Sequence, residues 1–163
     1  MTSGRVLAFG LAGCALAGGA PTVLAAARPA AVSACAPALS FGVLPAWARG
    51  GFSSPEPRMP HALGRRGQIV AVVFGYPLLS PPSGVRANKI LWVTRTPPIG
   101  RSNLRITAQR MTGDRDIGSP VQRTVDYGPG PSIVDLPAAG CWRLTLRWSG
   151  KVESMDLRYR AKP

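Results

Sequence analysis

From Gly140 to Tyr159 the chain alternates with a period of two, broken once. In Gly140-Cys-Trp-Arg-Leu-Thr-Leu-Arg-Trp148 the large apolar residues Trp142, Leu144, Leu146 and Trp148 take every second position, between Cys141, Arg143, Thr145 and Arg147. That is the pattern of a strand with one buried face. Ser149-Gly150 interrupts the pattern, and Met155, Leu157 and Tyr159 resume it. A two-residue turn at Ser149-Gly150 sets Trp148 opposite Lys151, Leu144 opposite Met155 and Trp142 opposite Leu157. The same register sets Arg143 opposite Asp156 and Thr145 opposite Ser154. One register thus yields both an apolar face and a charge-matched polar face, and a slip by one residue destroys both. Such a hairpin closes a domain of two sheets.

The upstream segments supply the other strands. Gln68-Ile-Val-Ala-Val-Val-Phe-Gly-Tyr76 is almost continuously apolar, as for a strand covered on both faces. After a rigid Pro-rich loop at residues 77–84, Lys89-Ile-Leu-Trp-Val-Thr-Arg95 reads as a strand that sends Trp92 into the core. Leu104-Arg-Ile-Thr-Ala-Gln-Arg110 alternates with Leu104, Ile106 and Ala108 inward. Val121-Gln-Arg-Thr-Val-Asp-Tyr127 and residues 132–136 are shorter strands. The chain's 19 glycines and 17 prolines are many breakers for its length, and falling between short β-branched or aromatic runs they favour many short strands over long helices. The expected fold class is all-β, an antiparallel sandwich of about seven strands over residues 68–163.

Residues 36–67 precede that domain as an arm rich in Pro and Gly. Pro55, Pro57 and Pro60 exclude a regular helix or a central strand there, and Trp47 and Phe52 are large enough to plug an open end of the core. Residues 1–35 read as a signal peptide or lipoprotein leader with its tether. Arg5 is followed by small and apolar residues as far as Ala27, without the polar face of a soluble helix. The run is long enough to span a bilayer, but its alanines, glycines and Pro21 fit a cleaved leader better. Three processing sites fit: Leu11-Ala-Gly-Cys14 and Val32-Ser-Ala-Cys35 both resemble a lipobox whose cysteine takes a diacylglycerol, and Ala25-Ala26-Ala27 fits release without lipid. Each places the protein outside the cytoplasmic membrane, with a lipid anchor in two of the three. If Cys14 carries the lipid, Cys35 and Cys141 remain to form a disulfide in an oxidising compartment. If Cys35 carries it, Cys141 is a lone half-buried thiol.

The chemistry-bearing inventory is thin. His61 is the one histidine, in the Pro-rich arm and without a partner, and no spacing of His, Cys or carboxylate supplies the three or four ligands of a zinc site. Asp114-Arg-Asp116 begins like a calcium loop but lacks its closing acid, and reads as a charged hairpin tip. Neither a nucleophile elbow nor a phosphate-binding glycine loop occurs. The expectation is a non-enzyme with no metal and no cofactor. Charge is the other signal, with 20 Lys and Arg against 7 Asp and Glu. Arg105, Arg143, Arg147 and Arg158, with Gln109, take the polar positions of their strands, while Arg95, Arg123 and Arg160 lie in neighbouring segments. Strands sharing a sheet would join them into a cationic surface for anionic lipid or wall polymer, since guanidinium groups match phosphate and carboxylate geometry. A solvated arginine face is the competing explanation. Nucleic acid is disfavoured as a partner, because export removes the chain from it and no reading motif is present.

Leu44-Pro-Ala-Trp-Ala-Arg-Gly-Gly-Phe52, Asn88-Lys-Ile-Leu-Trp-Val93 and Leu136-Pro-Ala-Ala-Gly-Cys-Trp-Arg-Leu144 carry a resemblance. The chain resembles uncharacterised exported proteins, many of them lipoproteins, of actinobacteria and other Gram-positive bacteria. Pro137-x-x-Gly140-x-Trp142 looks like the element leading into the last hairpin of small immunoglobulin-like envelope modules. The resemblance implies an immunoglobulin-like sandwich and an envelope location, and brings no catalytic residue with it. The leading expectation is therefore a non-catalytic envelope module that binds or senses through loops and a basic face. The alternative is an accessory subunit of a membrane-bound complex, contacted through Trp47 and Phe52. An unrecognised enzyme is third.

Overall fold

The computed structural model describes Met1, Cys35 and residues 39–163. Cys14 and the Ala25-Ala26-Ala27 motif lie outside the described residues. Cys35 and residues 39–163 belong to one compact unit, and among these described residues the structure is all-β apart from a 3-10 turn at Ala46–Ala48. The strands among the described residues are β1 (His61–Leu63), β2 (Ile69–Val73), β3 (Leu79–Ser80), β4 (Lys89–Thr94), β5 (Leu104–Thr112), β6 (Arg115–Val125), β7 (Pro131–Ile133), β8 (Gly140–Trp148) and β9 (Lys151–Ala161). One sheet has the order β1-β2-β4-β7 and the other β3-β9-β8-β5-β6.

The closing hairpin adopts the register that its alternation demands. Trp148 faces Lys151, Leu144 faces Met155, Trp142 faces Leu157, and Arg143 faces Asp156. Trp142, Leu144, Leu146, Trp148, Met155, Leu157 and Tyr159 are buried in one core with Ile69, Ala71 and Val73 of β2, Trp92 of β4, and Leu104, Ile106 and Ala108 of β5. Both sheets thus bury their apolar faces in the same core. The Trp142 indole donates to Ala138 O (2.9 Å) and the Trp92 indole to Ser132 Oγ (2.9 Å), so the polar ends of both rings are satisfied.

β2 is buried along its whole length, because its second face has a cover of its own. Val70 and Val72 pack with Leu44 and Ala48 of the arm, and the half-buried Trp47, Phe52 and Met59 close over them. The arm therefore lies across the outside of the four-stranded sheet and does not plug an end of the core. Nor is it wholly irregular: it bridges to itself at Ser40–His61 and Val43–Arg58 and contributes β1. Among the described residues, 68–163 hold eight strands against the seven expected there, the extra one being β3, which is short and bounded by Pro77 and Pro81, and the arm adds β1.

The sheets are also not purely antiparallel. β3 joins the second sheet parallel to β9, with Leu79 beside Arg160. Asn88, buried, acts as a surrogate backbone for that segment. Its Oδ1 accepts from Leu79 N and its Nδ2 donates to Leu79 O (both 2.8 Å), and to Asp135 Oδ1 (2.7 Å). At the side of the domain the buried Glu153 carboxylate accepts from the backbone N–H groups of Arg66, Gln68 and Ser154, fastening the β1–β2 turn to β9.

Candidate functional site

The outer face of the second sheet gathers the polar positions of β9, β8, β5 and β6 into rows. Register places Val152, Arg147, Arg105 and Thr124 in the row nearest the β8–β9 turn. The next row holds Ser154, Thr145, Thr107 and Gln122, with Thr107 Oγ1 donating to Gln122 Oε1 (2.9 Å). The third holds Asp156, Arg143 and Gln109, and the fourth brings Arg158 beside Cys141. All four candidate anion-binding arginines, Arg105, Arg143, Arg147 and Arg158, therefore occupy one face.

Their electrostatic situations differ. Arg143 is already paired where it stands: its Nε lies 3.1 Å from Asp156 Oδ1, a carboxylate that Arg65 also reaches at 3.2 Å. Gln109 is turned to the Ile117 and Gly118 carbonyls. Arg123 takes an inward position opposite Ile106 and donates to Asp135 O (3.0 Å), so it is not part of the outer face. Arg160 lies over the Tyr76 ring. Arg105 and Arg147 face each other across β5 and β8 in a row without a carboxylate. Like charges directly opposite one another destabilise a sheet, and this pair is left uncompensated within its row.

A groove of about 580 Å³ opens beside that pair, lined by Arg101, Arg105, Arg147, Trp148 and Lys151. Hydroxyls of Ser102 and Ser149 and the Asn103 amide also line it. None of the lining residues is acidic. Ser149, at φ 42°, holds the turn: its Oγ accepts from Ile99 N (3.1 Å) and lies 2.6 Å from Ser102 Oγ. Trp148 is buried, and its indole Nε1 has no acceptor among the described residues.

The period of two singles out Arg105 and Arg147, but nothing local in the sequence marks Arg101, Lys151 or the groove itself. Arg101 sits in the loop between β4 and β5, and only the fold brings that loop against the β8–β9 turn. The signal in the sequence was limited to basic residues adjoining strand ends.

The remaining candidates are structural. Cys35 and Cys141 form a disulfide with Cα atoms 5.7 Å apart, on the outer face of the second sheet and at the end of β8 remote from the groove. Trp92, Trp142 and Leu144 lie in the main core, and Trp47 in the layer under the arm. His61 is buried in β1 with Nδ1 2.8 Å from Met59 O. Among the described residues no three His, Cys, Asp or Glu side chains are grouped so as to hold a metal ion. Comparison with family models, with curated proteins and with solved structures finds no match to this chain.

Proposed function

We propose that this chain is an exported, non-catalytic module of the cell envelope that holds an anionic envelope component on the outer face of its second sheet. The observation that carries the reading is the Arg105–Arg147 cross-strand pair, which has no carboxylate in its row and is extended by Arg101 and Lys151 around one groove. An anion seated there would convert a repulsive pair into a chelating one, and guanidinium forks suit oxyanions.

The scaffold is taken as immunoglobulin-like. Reading β2, β4 and β7 as strands A, B and E, and β5, β6, β8 and β9 as C, C′, F and G, reproduces the A-B-E and C′-C-F-G neighbours of that fold. The export reading rests on the leader sequence. Under it, a lipid would be carried by Cys14, because the Cys35 sulfur is engaged with Cys141.

The test is sedimentation of the full chain with isolated cell envelopes. Binding is expected at low salt and release at high salt, as the screening length shortens from about 10 Å at 0.1 M to about 3 Å at 1 M. Arg105→Ser/Arg147→Ser should lose most of the salt-sensitive binding while staying folded, and Arg143→Ser should lose little of it. Equal binding by the folded Arg105/Arg147 variant would show the arginines to be a solvated face.

A further inference from the structure

The groove has a rim that a soluble ligand would not need. The loop between β4 and β5 carries Ile99, 80% exposed, and the loop between β6 and β7 carries Tyr127, 79% exposed. Both loops are tied to the β8–β9 turn or to each other. Ile99 N donates to Ser149 Oγ. Tyr127 N donates to Asn103 Oδ1 (3.0 Å), and Asn103 Nδ2 donates to Asp126 Oδ1 (3.0 Å).

Tyr127 is held at φ 65°, a region a bulky side chain seldom enters. Strain of this kind persists where surrounding contacts enforce it, and it clusters at functional positions. Gly128 follows at φ 105°, close enough to Ser102 O that a Cβ would sit 3.2 Å from it. The guanidinium of Arg101 lies 5.8 Å from the Tyr127 ring centroid. An exposed aliphatic and an exposed aromatic thus stand on fixed loops beside Arg101, Arg105, Arg147 and Lys151. Asp126, the carboxylate next to Tyr127, is engaged by Asn103.

We infer that this end of the domain docks on an anionic phospholipid surface. Arg105, Arg147, Arg101 and Lys151 take the headgroup phosphate, while Ile99 and Tyr127 enter the interfacial layer. Aromatic rings with a polar tip settle at that depth, and basic residues near an anionic leaflet add attraction that salt screens. The inference rests on the anion-binding reading above and narrows its ligand to a lipid headgroup in a bilayer.

The experiment uses the full chain with vesicles of phosphatidylglycerol and phosphatidylcholine, and with vesicles of phosphatidylcholine alone. Binding is read as the difference between the two, and each variant is compared with the unaltered chain, which carries the same N-terminal segment with Arg5 and Arg28. Arg105→Ser/Arg147→Ser should weaken the difference by about 30-fold, from the usual gain per basic residue at such a surface. Ile99→Asn/Tyr127→Asn, in which asparagine tolerates the positive φ, should weaken it by about tenfold, yet leave binding of soluble inorganic polyphosphate as in the unaltered chain. In Tyr127→Trp, lipids brominated in the upper acyl chain should quench emission beyond the loss seen in the unaltered chain.

Vesicle binding unchanged in Ile99→Asn/Tyr127→Asn, or no added quenching in Tyr127→Trp, would overturn membrane docking. Polyphosphate binding that still depends on Arg105 and Arg147 would then leave the broader anion-binding reading standing. Arg105→Ser/Arg147→Ser binding vesicles and polyphosphate like the unaltered chain would overturn both.

Discussion

Tyr159 shows how one buried group ties stability to pH. Its ring is in the core, and its hydroxyl donates to Val134 O at 2.7 Å across the domain. Burial, assisted by the nearby Asp135 charge, pushes the phenol well above its ordinary value of 10.0. An unfolded tyrosine ionises near 10, whereas the folded one keeps its proton, so unfolding above that pH releases a proton. The stability contribution is therefore complete below pH 10 and falls as pH rises toward the folded value. Tyr159→Phe should lose about 1 kcal/mol at neutral pH through the missing hydrogen bond, and show a shallower decline between about pH 9 and about pH 11. Urea unfolding at both pH values measures this. An alkaline decline as steep in Tyr159→Phe as in the unaltered chain would place the sensitivity elsewhere.

At the scale of elements, legibility followed burial. The β8–β9 hairpin could be read with its register because one face is apolar and the other polar at every step, and β5 because Leu104, Ile106 and Ala108 alternate. β2 could be read as covered twice, although its second cover turned out to be the arm. The sequence pattern marks β6 only from Val121, whereas the strand begins at Arg115. Most of this edge strand is solvated on both faces and carries Gly118 and Pro120, so its first half has no apolar alternation to reveal it. β3 is two residues long and is held by Asn88, a contact that no local pattern encodes.

The disulfide is a long-range tie of the same kind. It joins positions 106 residues apart, and closing so long a loop restricts the unfolded chain strongly. Cys35→Ser/Cys141→Ser should therefore lower stability by about 3 to 5 kcal/mol. In oxidised full chain, alkylation without reductant should label Cys14 alone, and with reductant all three cysteines. Labelling of Cys35 or Cys141 without reductant would contradict the bridge.

On the scale of the whole molecule, the second sheet has two ends with different work. At one end the disulfide fastens Cys35 to the start of β8, while at the other the β4–β5 loop and the β8–β9 turn frame a basic groove. The candidate site was half legible for this reason. Arg105 and Arg147 lie on strands and follow the period of two, but Arg101 and Lys151 join them only through the meeting of loop and turn. Arg143, which the sequence ranks equally, is removed from the site by Asp156, its neighbour in the same register. The proposed function requires an anion held between Arg105 and Arg147 and not spread over the basic surface. It is tested most directly by titrating isotope-labelled full chain with inorganic polyphosphate and following arginine Nε–H and indole N–H resonances. Saturable shifts are expected at Arg101, Arg105, Arg147 and the Trp148 indole, with Arg143 and Arg158 nearly unmoved. Comparable shifts at all surface arginines, or none around Trp148, would contradict it.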